Sequence, residues 1–212
     1  MPHTHTTTVY DFAELSDKAK ERAREQMRDT LMQDFTPDAT LEDAATFCEI
    51  IGITLDTRPV TLRNGGTRHE PQILYSGFSS QGDGASFEGH YAYKAGCAKQ
   101  IRQHAPLDTR LHAIVDRLVA AQKPTGYALT ASVKRADHHY CHEHTARIEV
   151  YDRHDDRVPE AIEDMIAEAL RDLMRWIYRQ LEAEWEYALA DEQVDDTIEA
   201  NEYEFTEDGR IA

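Results

Sequence analysis

A long amphipathic stripe near the C-terminus limits the folds open to this chain more than any other feature. Apolar residues recur at three- and four-residue intervals after Pro159, which predicts one continuous helix of about 45 Å. Its apolar face consists of Ile162, Met165, Ile166, Ala169, Leu170, Leu173, Met174, Ile177, Leu181 and Trp185. Such a helix needs either a sheet broad enough to cover it or a second copy of the chain to pair with.

Four further helices are predicted from the same spacing of apolar residues. Ser16 is a good N-cap for the first of them. Thr40, with Asp43 three residues later, favours a capping box at the start of the second, which Gly52 should end. The predicted ranges are about 17–33, 40–51, 95–104 and 108–122.

Strand patterns lie between these helices. They comprise short runs at 53–55 and 60–62 and two longer hairpins, 73–91 and 129–150. The order of elements predicts an α+β fold, with a mostly antiparallel sheet flanked by helices and followed by the long helix and an acidic tail.

A domain boundary is expected near residue 157. It separates a core domain, 1–157, from the long helix and tail, 158–212, which pack on the core or extend it. Within the tail, 191–196 is predicted as loop and 203–206 as an edge strand.

The hairpin at 73–91 contains the motif Ser-Gln-Gly-Asp-Gly. Turn chemistry explains its glycines better than a phosphate-binding loop does, because Asp-Gly favours a two-residue type I′ turn. With Asp83-Gly84 as that turn, strand alternation places Phe78, Phe87 and Tyr91 on a buried face. The opposite, polar face is a candidate site and consists of Ser79, Gln81, Asp83, Glu88 and His90.

The second hairpin carries the run His138-His139-Tyr140-Cys141-His142-Glu143-His144, with four of the chain's 11 histidines. On a strand, His142 and His144 would point the same way, as two zinc ligands do, with Glu88 or His90 as conceivable partners. The alternative is that both imidazoles are half-buried and hydrogen-bonded. No cofactor is therefore expected, with zinc as the open alternative.

The three cysteines show no motif spacing. Cys48, Cys97 and Cys141 are an odd number at wide intervals, which is typical of buried thiols in a reducing compartment rather than of disulfides. The chain has no run of 18 apolar residues and no apolar stretch at its start. These features predict a cytoplasmic protein that does not engage a membrane.

Charge is strongly asymmetric along the chain. The net charge is −17, and residues 159–212 hold 17 acids and 4 bases, against 20 and 17 in residues 1–150. Direct binding of duplex DNA through the C-terminal region is disfavoured, because phosphate contacts require cations. A protein that binds nucleic acid would instead be attracted to this region.

The candidate partner-binding residues are Glu160, Glu163, Asp164, Glu168, Asp172, Asp191, Glu192, Asp195 and Asp196. The alternative is that these carboxylates form the solvated outer face of a core or dimer helix.

Three segments together resemble a family of small bacteriophage and prophage proteins of unassigned function. They are 12–24, 75–91 around Ser-Gln-Gly-Asp-Gly, and His139 to Glu143, and the resemblance extends over about 10–152. It implies a genetic context and no activity. The acidic segment after about 159 is less typical of that family.

Known catalytic motifs are missing: the sequence has no P-loop, no dinucleotide-binding glycine motif, no His-Glu-x-x-His and no Cys-x-x-Cys. The leading hypothesis is a phage-encoded acidic protein that binds a host protein or nucleoprotein complex. It would inhibit a CRISPR or restriction-type defence complex, with carboxylates in place of phosphates.

Two alternatives remain open. One is a metal-dependent enzyme that uses Glu88, His90, His142 and His144. The other is an antitoxin-like module that forms a homodimer through the long helix.

Overall fold

The computed structural model describes residues 8–136, 140–154 and 156–212. In this part of the chain every strand pairs antiparallel, and a long helix lies near the C-terminus, so the α+β prediction is confirmed. The helices are α1 Asp17–Asp34, α2 Asp38–Ile51, α3 Cys97–His104, α4 Thr109–Gln122, α5 Glu160–Ala188 and α6 Asp191–Ala200. The strands are β1 Tyr10–Asp11, β2 Ile53–Leu55, β3 Thr57–Thr61, β4 Thr67–Pro71, β5 Ile73–Ser76, β6 Gly84–Phe87, β7 Gly89–Ala92, β8 Thr130–Arg135, β9 Ala146–Tyr151 and β10 Glu204–Phe205.

The chain forms two compact units. The central unit is Asp38–Leu181, and the terminal unit combines Met1–Pro37 with Glu182–Ala212. The boundary expected at 157 falls inside the central unit, between β9 and α5.

A four-stranded sheet, in the order β2-β7-β8-β9, carries the core of the central unit. Its inward residues face the apolar stripes of α4 and α5, which form one continuous cluster with them. Along α5 the expected stripe is buried from Ile166 to Leu181. Met165 is the exception at 51 % exposed, because it directly precedes Ile166 and therefore lies at the edge of the apolar face.

All three cysteines are buried and free, as expected. Burial without a charged partner raises the pKa of Cys48 to about 12, so this thiol stays protonated and unreactive.

The first hairpin differs from its predicted register. Ile73 pairs with Phe87 and Ser76 with Gly84, so the connection is a seven-residue loop, 77–83, instead of a two-residue turn. After Glu88 the chain leaves this hairpin, and β7 joins the four-stranded sheet. Phe87 and Tyr91 are buried as predicted, but Phe78 lies in the loop and is only half-buried.

The predicted polar face is therefore not one face. Ser79, Gln81 and Asp83 lie in the loop, whereas Glu88 and His90 lie at and beyond the crossover to the other sheet. The predicted two-residue Asp-Gly turn does not form. The Asp83 carboxylate instead accepts hydrogen bonds from the backbone N–H groups of Ser79 and Ser80, which stabilises the wider loop.

The second hairpin forms, but its return strand begins only at Ala146. Glu143–Thr145 is a single 3₁₀ turn, closed by a hydrogen bond from Thr145 N–H to the carbonyl of His142. His142 and His144 consequently precede the strand, and the expected strand geometry is wrong for both. His138 and His139 lie outside the described residues.

Local signals near the helix ends were partly right. Ser16 caps α1 by accepting a hydrogen bond from Ala19 N–H, as predicted. Helix α2 begins at Asp38, so Thr40 lies inside it and is not its cap. Gly52 ends α2 with a φ of +93°, a conformation that favours glycine.

The terminal unit packs α1 against α6, beside the two-stranded sheet β1-β10. The segment 191–196, predicted as loop, is the first part of α6. Its helical signal is weak, because only Val194 and Ile198 are buried among many acids. The predicted edge strand is present as Glu204–Phe205. The core of this unit consists of Phe12, Leu15, Ala19, Ala23, Met27, Val194, Ile198 and Phe205.

Within the described ranges, no helix is long and apolar enough to cross a membrane.

Removal of the Phe205 ring should unfold the terminal unit selectively. Phe205 is fully buried in a small core, where it contacts Phe12, and Phe→Ala substitutions in such sites cost about 3–5 kcal/mol. We expect Phe205→Ala to speed amide hydrogen exchange throughout α1 and α6. Ile211→Ala is the control, since Ile211 is 39 % exposed and should change exchange little. Equal effects of the two substitutions would contradict this account of the core.

Candidate functional site

Two of the predicted partner-binding carboxylates on α6 are held by arginines of α1. Asp195 receives two hydrogen bonds of 2.7 Å from Arg24, and Asp191 pairs with Arg28. The hydrogen bonds that Arg24 donates to Asp195 raise the pKa of Arg24 despite partial burial. These carboxylates therefore stabilise the helix pair and are not available to a partner.

The outward face of α6 carries a second row of acids. Glu192, Asp196 and Glu199 follow each other at four- and three-residue spacing and are exposed, and none has an ion pair in the described part of the chain. A helix places such carboxylates about 6 and 4.5 Å apart along its axis. We call these three residues the α6 row.

The acids predicted along α5 are mostly paired. Glu163 binds Arg157 at 2.8 Å, Glu168 binds Arg175 at 2.8 Å, and Asp172 contacts both Arg117 and Arg175. Arginines on α4, on α5 and in the segment before α5 therefore pair three of the five candidate acids of this helix. The other two, Glu160 and Asp164, are exposed and have no ion pair within the described ranges.

The two motifs singled out in the sequence meet in the central unit. One is the loop 77–83, and the other is the segment 140–145; together we call them the motif loops. The ring of Tyr140 lies over Gly82, and the backbone of His142 passes so close to Gly84 that a side chain there would overlap it. Strand β6 also packs against the 3₁₀ turn of the second segment.

Aromatic stacking holds the first motif loop to the scaffold. Phe78 is stacked between Tyr75, at 5.9 Å between ring centroids, and Tyr178 of α5, at 5.8 Å. The Tyr178 hydroxyl donates to the carbonyl of Gly77. The half-buried Phe78 thus fixes the position at which the loop begins. A two-residue turn at Asp83-Gly84 would instead place Phe78 within a strand.

The second motif loop is tied to α5 by an ion pair. Glu143 accepts a 2.9 Å hydrogen bond from Arg175, which also binds Asp172. Burial by itself would raise the pKa of Glu143, but the hydrogen bond and charge of Arg175 outweigh it and lower that pKa. The pKa of Asp172 is lowered in the same way. Burial would raise it, but the hydrogen bonds and charges of Arg117 and Arg175 lower it.

The four residues of the metal-enzyme alternative are each engaged elsewhere. His90 is exposed and lies 3.8 Å from Asp56, and Glu88 accepts from Arg135 N–H. The Nδ1 atom of His142 accepts from His144 N–H. In the ranges that the structure describes, no three His, Cys, Asp or Glu side chains are grouped as metal ligands. The motif loops therefore hold polar side chains in a defined place.

The sequence analysis missed the role of the α1 arginines. Arg24 and Arg28 repeat the four-residue spacing of Asp191 and Asp195, and the antiparallel helices match them pairwise. That shared interval was a readable signal. The local pattern at 191–196 predicts a loop, which hides this signal. Glu199 was missed for the same reason.

A family described as a domain of unknown function, DUF8835, matches residues 37–191. The matched region includes both motif loops and ends at the first residue of α6, before the α6 row. No curated protein matches the chain. No solved structure matches it either.

Gly84→Ala should separate the motif loops. The added methyl group would overlap the Cβ and Cα atoms of His142, and overpacking of this kind costs about 1–3 kcal/mol. We expect a loss of that size in the free energy of unfolding, measured by urea denaturation. The control is Gly66→Ala, an exposed turn position, which should stay within about 0.5 kcal/mol. A Gly84→Ala protein as stable as wild type would show that the two loops are not in contact.

The Arg175 network should make stability sensitive to acid. Glu143 and Asp172 have lowered folded-state pKa values, so their contribution is present above the ordinary values of 4.5 and 3.8 and is lost as pH falls through the folded values. Arg175→Met should reduce stability at pH 7 and flatten its decline between about pH 5 and 2. Arg63→Met, at an exposed turn position, should keep the wild-type slope. An unchanged slope in Arg175→Met would refute this assignment.

Proposed function

We propose that this chain, which belongs to the DUF8835 family of unknown function, is an acidic binding protein that engages a nucleic-acid-handling complex through its terminal unit. The partner class that fits best is a host defence complex of CRISPR or restriction type, and the phage resemblance of the sequence supports that context. The binding residues are the α6 row, with Glu192 and Asp196 from the original candidates and Glu199 added.

The segregation of charge between the two units carries this proposal. The terminal unit holds 19 acidic and 6 basic residues, a net charge of −13, whereas the central unit holds 21 and 17, a net charge of −4. Folding needs only part of that excess, since Asp191 and Asp195 suffice to pair Arg28 and Arg24. The remaining acids repel each other and lower stability unless a cationic partner binds them.

The α6 row suits a phosphate-binding groove. Its carboxylates repeat every 4.5–6 Å or so along a rigid helix, and one strand of a DNA duplex has a phosphate about every 3.4 Å of axis. The spacing of the carboxylates is wider than that of the phosphates but of the same order. Because Val194 and Ile198 hold the opposite face of α6 in the core, the row keeps its direction when a partner approaches.

Inhibition would follow from occupancy alone. A defence complex must hold nucleic acid in a basic groove, and an acidic helix seated there excludes the substrate. Electrostatic attraction raises the association rate and makes it fall steeply with salt. Inhibition of this kind requires no catalytic residue.

Charge reversal on α6 should weaken this interaction. The bait is the full chain, immobilised and exposed to nuclease-treated bacterial lysate, and the captured protein is then eluted with duplex DNA. We expect Glu192→Lys with Asp196→Lys to lower capture about tenfold or more at low salt, with less loss as salt rises. Neither side chain is buried, so circular dichroism should stay unchanged.

A matched pair on α5 provides the control. Glu160→Lys with Asp164→Lys has the same spacing, position in the helix and exposure, but lies in the central unit. It should leave capture within about twofold of wild type. A captured protein that DNA does not displace, or one lost equally from both variants, would contradict the proposal.

A further inference from the structure

The helix pair α3–α4 in the central unit is locally basic, in contrast to the rest of the chain. Residues 94–123 contain six bases and two acids, a net charge of +4 in a protein of net charge −17. Both acids are engaged. Asp108 accepts from Leu111 N–H and from the indole of Trp176, and Asp116 pairs with Arg102. The surface therefore has no uncompensated carboxylate of its own.

The exposed side chains of this pair have a distinct chemistry. Most are Lys, Arg, Gln and Thr with alanines between them, the types that donate to phosphates and base edges or allow close approach. Lys99, Arg110 and Lys123 have no ion pair within the described residues, whereas Lys94 pairs with Glu49, Arg102 with Asp116 and Arg117 with Asp172. The exposed residues of these types are Lys99, Gln100, Arg102, Gln103, Thr109, Arg110, Ala113, Arg117, Ala120 and Lys123, and His104, Leu107 and Asp116 are exposed beside them.

The connection between the helices has the length found in helix-turn-helix motifs. Residues 105–108 join α3 to α4, and two helices joined by a turn of about 3–4 residues form the helix-turn-helix motif. Helix α4 buries Leu111, Ile114, Val115 and Leu118 on one side. Its outer side presents Arg110, Ala113, Arg117 and Ala120 at helical spacing, with the exposed Asp116, paired to Arg102, beside them. The small alanines let a helix about 10–12 Å wide enter a major groove of about 12 Å.

We propose that the α3–α4 pair binds duplex DNA, with α4 directed to the major groove and Lys99, Arg110 and Lys123 contacting phosphates. The net negative charge of the chain does not prevent this, because charges more than about 10 Å away are largely screened at 0.1 M salt. The inference is independent of the proposed function, since it uses no residue of the α6 row.

The test measures fluorescence anisotropy of a labelled mixed-sequence duplex of about 20 base pairs with the full chain. Three phosphate contacts predict a slope near −2.7 in log affinity against log salt, or about a 40-fold loss between 50 and 200 mM. Lys99→Gln with Arg110→Gln should lower affinity at least about tenfold at 50 mM and reduce the slope to about −0.9. Neither residue is buried, and circular dichroism checks the fold.

The matched control removes two exposed bases elsewhere that have no ion pair in the described part of the chain. Lys18→Gln with Arg63→Gln has the same net charge as the test variant, so it isolates position from total charge. This control should bind DNA as wild type does. In a chain that carries Glu192→Lys with Asp196→Lys, DNA affinity should still depend on Lys99 and Arg110. The proposal is overturned by any of three results: no binding at 50 mM salt, equal losses in test and control variants, or stronger binding to an RNA duplex than to DNA.

Discussion

Burial of the apolar stripe of α5 is the interaction on which the central unit depends. From Ile166 to Leu181 this stripe supplies side chains with almost no exposed surface to one cluster shared with α4 and the four-stranded sheet. Each fully buried Leu, Ile or Met contributes roughly 1.5–3 kcal/mol through the hydrophobic effect. A helix of 29 residues is long for this purpose, and its other side must carry charge to stay hydrated.

The acidic side chains are paired with arginines to different extents on α5 and on α6. On α5, Arg175 pairs with Glu143, Glu168 and Asp172, although the helix as a whole carries eight acids and three bases. The same arginine fixes the second motif loop through Glu143. On α6, Asp191 and Asp195 are paired, whereas the α6 row has no counter-charge among the described residues. The α6 row is therefore one defined surface within a unit whose net charge is −13.

The motif loops and the charged faces have different relations to the family. Both motif loops lie within the region that DUF8835 matches, and they are held by stacking, by the Asp83 carboxylate and by Arg175. The α6 row lies beyond that region. The residues of the proposed acidic interface thus lie outside the family match, whereas those of the proposed α3–α4 surface lie inside it.

The sequence by itself determined the α+β class, the helices with a strong apolar period and the cap at Ser16, because these depend on local spacing and short-range hydrogen bonds. It also located the acidic excess. Only the tertiary structure decided which carboxylates are free, since Arg24 and Asp195 are separated by 171 positions yet share two hydrogen bonds. It likewise decided the register of β5 and β6. The Asp83-Gly84 pair favours a tight turn locally, but stacking of Phe78 between Tyr75 and Tyr178, and the approach of His142 to Gly84, stabilise the wider loop through contacts distant in the chain.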